Sequence, residues 1–172
     1  MSVTIYEAAV PALTLNLQNL HNILAKAAAY AAERKVEDAT ILGLRLFPDM
    51  LHLARNVQVA CDLSVRGAAR LAGVDLPSFP DDEATIADLQ ARIAKARDFI
   101  NSIPADKFDG AETREVSLMA GQAPLKFHGK EYLADFVLPN VYFHVTVVYA
   151  NLRGVGVPVG KMDFLGNLRL AA

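Results

Sequence analysis

The chain has 172 residues, 53% of them hydrophobic and 21% charged, with a net charge of −2. That balance excludes a disordered chain and fits a single folded domain over residues 1–172. Mixed charge without a Lys/Arg cluster excludes a nucleic-acid footprint, and no uncharged apolar run approaches the ~18 residues that span a bilayer, so neither nucleic acid nor membrane is an expected partner.

The N-terminus MSVTIYEAAV has no basic stretch leading into an apolar one, so no secretory signal is expected. From Thr4 to about Lys35, Leu13, Leu17, Leu20, Leu24, Ala27 and Ala31 recur at spacings of three and four, the stripe of an amphipathic helix. Thr4 with Glu7 has the form of a capping box. Pro11 either kinks this helix or marks its true start, because proline removes a ladder hydrogen bond. Residues 38–47 read as a connection that holds at most a helical turn. Pro48 suits the first position of a second helix, with Asp49 beside its positive end. Met50, Leu53, Val57, Ala60, Ser64, Ala68 and Leu71 carry the period to a stop at Gly73.

GVDLPSFPDDEA is a loop by composition. A third helix runs from about Thr85 to Ser102, with Ile86, Leu89, Ile93, Ala96 and Ile100 on its stripe, and Pro104 closes it. Val116 and Leu118, then Leu125 and Phe127, alternate with polar neighbours around Gly121-Gln122, which reads as a β-hairpin. The last helix spans about Tyr132 to Leu152, with a kink expected at Pro139. Its inward face carries Leu133, Val137, Asn140, His144, Val148 and Asn151. The tail GVGVPVGKMDFLG holds too much glycine and proline for a helix and ends in an apolar anchor, Met162 to Leu165. Four such stripes bury one another most simply as an all-α four-helix bundle, with the hairpin inserted before the last helix.

Phosphate loops, zinc-type Cys/His spacings and nucleophile elbows are all missing from the sequence. The single cysteine, Cys61, cannot form an internal disulfide, which fits a reducing cytoplasm, and its place beside an apolar stripe predicts a buried, inert thiol. Among the four histidines, His128 falls at the hairpin end on the surface and His21 flanks the first stripe, packed or exposed. His52 falls in the first turns of the second helix. His144 lies one turn after Asn140 on an inward face, so the two either hydrogen-bond inside the bundle or line a ligand cavity.

The segments LPNVYFHVTVVYANLRGVGVPVGKMDFLG, LFPDMLHLARNVQVACD and ARLAGVDLP resemble an uncharacterised bacterial family known only as a domain of unknown function. Its marks here are the PN-x3-H, LR-x2-GV and GK-x-DFLG elements. That family is grouped with the DinB/YfiT-like metalloenzyme superfamily, whose members are four-helix bundles, commonly dimeric, and include metal-dependent thiol transferases and isomerases. The resemblance implies a three-histidine metal site: one histidine near the start of the second helix, and two spaced by four on the last helix, before Leu-Arg-x-x-Gly. Counted back from Arg153 and Gly156, the second of the pair matches His144, while Asn140 stands where the first histidine belongs. His52 matches the remaining ligand.

A site of His52, Asn140 and His144 would hold Zn²⁺ or Ni²⁺ less well than three imidazoles, because an amide oxygen is a weaker, harder ligand. Asp49 or Asp163 are the carboxylates that could compensate. Two functions follow as expectations. The first is a metal-free small-ligand-binding or interaction protein with a degenerate metal site, in which Asn140 and His144 pair or line a pocket. The second is a metal-dependent transferase or hydrolase acting on a small substrate such as a thiol. Alanines in the first two helices (Ala27, Ala28, Ala29, Ala31, Ala32, Ala68, Ala69) permit close helix approach within the bundle or across a homodimer.

Overall fold

A computed structural model describes residues 3–168. Among the described residues, seven α-helices, a 3₁₀ turn, a π-helical stretch and one hairpin follow in order: α1 Ile5–Arg34, α2 Asp38–Leu42, α3 Leu53–Ala72, α4 Ile86–Ser102, the 3₁₀ turn Ala105–Phe108, β1 Glu115–Ala120, β2 Ala123–His128, α5 Gly129–Glu131, the π-helical stretch Tyr132–Val137, α6 Leu138–Gly154 and α7 Lys161–Leu165. The four long helices α1, α3, α4 and α6 make the bundle. Helix α3 lies against α6 and α4, and α1 lies against α4 and α6. The apolar stripes of the sequence form one continuous core, with Leu13, Leu17, Leu20 and Leu24 of α1 meeting Leu89, Ile93 and Ile100 of α4 and Val141, Val145 and Val148 of α6.

Helix α1 begins at Ile5, ahead of Pro11, and runs on through it. The Thr4 hydroxyl accepts the Glu7 N–H at 3.2 Å, and the Glu7 carboxylate accepts the Thr4 N–H at 2.9 Å. The proline leaves the Glu7 carbonyl without its ladder partner, but Glu7 is exposed, so water can take that bond. Helix α3 starts at Leu53 and not at Pro48: residues 44–52 are irregular, Arg45 clips the Met50 carbonyl, and His52 supplies the cap. As expected, α3 ends at Gly73, whose φ of 67° is left-handed.

In the hairpin, Val116 pairs with Phe127 and Leu118 with Leu125. Gly121, at φ 62°, takes the first place of the two-residue loop, a conformation that a Cβ would strain. Phe127 packs on Tyr132 and Phe136, with ring centroids 6.0 and 5.8 Å away, which ties the hairpin to the entry of the last helix. That helix departs from α geometry at Tyr132–Val137. Pro139 follows within the first turn of α6, so its missing N–H coincides with the π-helical shift in hydrogen bonding. Gly67 makes the contact possible: a Cβ there would lie 2.6 Å from Val137 Cγ1.

Two further expectations change. The tail does contain a helix, α7, because Asp163 accepts the Gly160 N–H at 2.9 Å and pairs with Lys26 at 2.7 Å, while the Asn19 amide donates to the Phe164 carbonyl at 2.9 Å. Within it Phe164 packs against Tyr149, but Met162 is exposed. The continuous helix Gly129–Gly154 is also apolar and long enough, by length and composition alone, to cross a membrane, contrary to the reading of the sequence. Polar Asn140, His144 and Asn151 had masked its length. On α6, Pro139, Tyr142, Phe143 and Thr146 are exposed, so its outer face is open.

Candidate functional site

The three residues singled out at the α3–α6 junction are each held in a different way. His52 is the N-cap of α3, extended at φ −71° and ψ 166°, and its Nδ1 accepts the Arg55 N–H at 3.2 Å. A ring nitrogen that accepts a hydrogen bond bears no proton, so neutral His52 carries its proton on Nε2. In that state Nε2 is a donor and not a metal ligand.

One turn on, Asn56 is buried. Its amide N–H₂ donates to the Leu51 carbonyl at 2.9 Å and the His52 carbonyl at 3.0 Å. Those two bonds fix which end of the amide is oxygen, and that oxygen lies 2.9 Å from His144 Nδ1. His144 must therefore donate from Nδ1, which leaves Nε2 with a lone pair. His144 is half-buried, and desolvation lowers its pKa from the ordinary value of 6.5, which favours the neutral ring. Phe143 stands edge-on to it at 5.2 Å.

Asn140 does not join this chain. Its amide donates at 2.7 Å to the Phe136 carbonyl of its own helix, so it forms no pair with His144. Asn151 does the same with Val147 at 3.0 Å. The residue that meets His144 is Asn56, which sequence reasoning missed. Its signal was an amide among the buried positions of α3, one turn past His52.

The carboxylates proposed to compensate lie in other settings. Asp49 is exposed in the turn before α3. Asp163 is committed to Lys26 and the Gly160 N–H, and the Lys26 bond is the first cause of its lowered pKa. Among the described residues no three His, Cys, Asp or Glu side chains gather where they could hold an ion. The donor set thus fits a metal poorly: one imidazole with a free lone pair, one committed at Nδ1, and one amide turned to its own backbone. His128 is exposed, with Nδ1 3.2 Å from the Thr113 carbonyl, and His21 is half-buried on α1.

A second polar centre, also missed, lies where α3 meets α4. Arg92 sits on the buried stripe of α4 with 2% of its side chain exposed. Its guanidinium reaches Asp62 at 2.6 Å, Glu83 at 2.8 Å, Asp81 at 3.1 Å and the Pro80 carbonyl at 2.8 Å. Gln58 donates to Glu83 at 2.8 Å, and Arg55 bridges Gln58 and Asp81. Glu83 is partly desolvated, yet the Arg92 and Gln58 hydrogen bonds carry its pKa below the usual carboxylate value. Cys61 lies beside this network, fully buried, and burial pushes its thiol up to about 12. The sequence signal was a charge on an inward face, between Leu89 and Ile93, next to the acidic run Asp81-Asp82-Glu83.

Comparison with known proteins agrees with this architecture. The crystal structure of a DinB family member protein from Shewanella denitrificans superposes with a TM-score of 0.91 at 36% identity, covering 98% of this chain and 95% of that one. A search of curated proteins found no match. The family described as Domain of unknown function (DUF1993) matches over residues 5–165. The chain belongs to that family and has the DinB fold.

Proposed function

We propose that this DinB-fold protein works without a metal, as an interaction protein that meets a second copy of itself through the outer face of α6. The observation that carries the metal-free half is the commitment of the two other donors: His52 caps α3 through Nδ1 and Asn140 bonds its own backbone, so His144 Nε2 is the one free imidazole lone pair of the set. The test is elemental analysis of protein purified without chelator or affinity tag, before and after incubation with zinc, nickel or manganese. Less than a stoichiometric amount of metal, unchanged in His144→Gln, is expected. About one metal per chain, lost in that variant, would sink the reading.

Self-association rests on the surface beside the junction. From Phe136 to Leu152 the chain has no Asp, Glu, Lys or Arg. Pro139, Tyr142, Phe143 and Thr146 make an exposed stripe at helical spacing. Leu51, Phe47 and Leu46 are exposed in the segment that leads to His52. Tyr142 and Phe143, with Phe47, Leu46 and Leu51, are large apolar side chains left open to solvent, and aromatic side chains of this kind are enriched at the core of protein interfaces. Sedimentation should find a dimer at micromolar concentration and a folded monomer for Phe143→Glu. A wild-type monomer at every concentration, or a Phe143→Glu dimer, would remove this half of the proposal.

One observation favours a second reading, a metal-dependent transferase or hydrolase acting on a small substrate such as a thiol. A ligating imidazole usually donates its other N–H to an oxygen that orients it, as His144 does to Asn56. That reading needs two further donors, and the same elemental analysis decides between the two.

A further inference from the structure

Beyond the α6 surface and independent of it, the C-terminal half of α3 and the segment joining it to α4 enclose a cleft of ≈310 Å³ lined by Asp62, Val65, Arg66, Arg70, Ser78 and Phe79, among others. We infer that this cleft binds a small organic monocarboxylate, with Arg66 and Arg70 receiving the carboxylate and Val65 and Phe79 packing against its apolar body.

Of the charged side chains that line the cleft, the two guanidiniums of Arg66 and Arg70 face a single carboxylate, that of Asp62. One positive charge is left over, and the pairings locate it. Asp62 is shared between Arg92 at 2.6 Å and Arg66 at 3.1 Å. Arg70 donates at 3.0 Å to the neutral Tyr132 hydroxyl and has no carboxylate partner among the described residues. A guanidinium has five N–H donors in a planar fork that matches a carboxylate. Arg66 and Arg70 are four apart on one helix, and both line the cleft.

The walls are built in advance. Phe79 is held under the Arg92 guanidinium, 5.7 Å from its ring centroid, and Pro77 and Pro80 stiffen the covering segment on either side. Arg92 also binds the Pro80 carbonyl, so the roof is tied to α4 from within. Val65 is buried, and Ser78 adds a hydroxyl donor at the rim. The surplus of a single charge, with Asp62 in the wall, selects a monoanion with an apolar body over a phosphate dianion. On the far side of Phe79 a second cleft is lined by Asp82, Glu83 and Asp88 as well as Arg92 and Lys95, and it lacks that surplus.

Sodium butanoate and inorganic phosphate are the probes, titrated into the full chain while backbone and arginine Nε–H resonances are followed by NMR. Butanoate should give saturable shifts confined to residues around Arg66, Arg70 and Phe79, and should bind more tightly than phosphate. Arg70→Gln should weaken butanoate at least about tenfold, the loss of a charge-assisted hydrogen bond. Because Arg70 also holds Tyr132, Arg66→Gln is the companion variant: its side chain is exposed, its removal leaves the fold in place, and it should weaken binding in the same direction. No saturable shift with butanoate, tighter binding of phosphate, or unchanged affinity in both variants would overturn the inference. None of these outcomes depends on metal content or on the oligomeric state.

Discussion

Helix α3 carries two polar clusters that solve the same problem in opposite ways. Toward α6, Asn56 links the His144 ring to the carbonyls of Leu51 and His52, and every partner is neutral. Toward α4, Asp62 and Gln58 join a network of full charges centred on buried Arg92. Burying an amide or imidazole costs little once its bonds are made, whereas burying a guanidinium is tolerable only with several carboxylates around it. The neutral junction can therefore lose a partner and relax. The charged hub cannot.

The largest expected effect follows from that asymmetry. Arg92→Met should cost about 3–5 kcal/mol, because Glu83 and Asp62 lose the charge that holds them in a desolvated setting. Urea denaturation monitored by circular dichroism measures it. A loss under about 1 kcal/mol would mean that the hub is solvated and that the contrast between the clusters is false. Next comes Asn56→Leu, which removes three hydrogen bonds and leaves the Leu51 carbonyl and His144 Nδ1 without partners, at about 1–3 kcal/mol. A thermal shift near zero would show that this junction does not hold α3 to α6.

The stripes of α1, α3 and α4, the register of the hairpin and the Gly73 stop were all legible in the sequence, because each depends on local spacing or on one residue's backbone freedom. Only part of the candidate site could be read the same way. Spacing marked His144 as inward, but its partner Asn56 is set by how α3 lies across α6, and no periodicity encodes a crossing. Likewise Arg92 could be seen on an inward stripe, while the return of Asp81 and Glu83 over it depends on the path of a loop. The start of α3 was misjudged for a local reason. Pro48 and Asp49 imitate a helix N-terminus, yet the His52 side chain supplies the cap four residues later.

Acid should sharpen the comparison through His144. Burial lowers its folded pKa below 6.5, so in acid the unfolded chain binds the extra proton first. Stability is full above that value and falls as pH drops through 6.5 to the lower folded pKa, then levels off. His144→Gln should flatten that part of the stability profile while leaving the carboxylate-dependent loss at lower pH intact, since the lowered pKa of Glu83 belongs to the other cluster. An unchanged profile in the variant would detach His144 from the pH response. The smallest effect is expected from Asn140→Ala. Its amide bonds only the carbonyl one turn back on its own helix, so the change should stay within about 0.5 kcal/mol. A loss comparable to that of Asn56→Leu would reveal a role for Asn140 beyond its own turn.

The central claim is that His144, held by Asn56 through Nδ1, carries no ion on Nε2, and ¹⁵N NMR of the labelled imidazoles tests it most directly. At neutral pH the account predicts a neutral His144 protonated on Nδ1 and His52 protonated on Nε2, both unchanged when one equivalent of zinc is added. A zinc-induced shift of His144 Nε2, with loss of the His52 Nε2 proton, would contradict it and favour the metal-dependent reading.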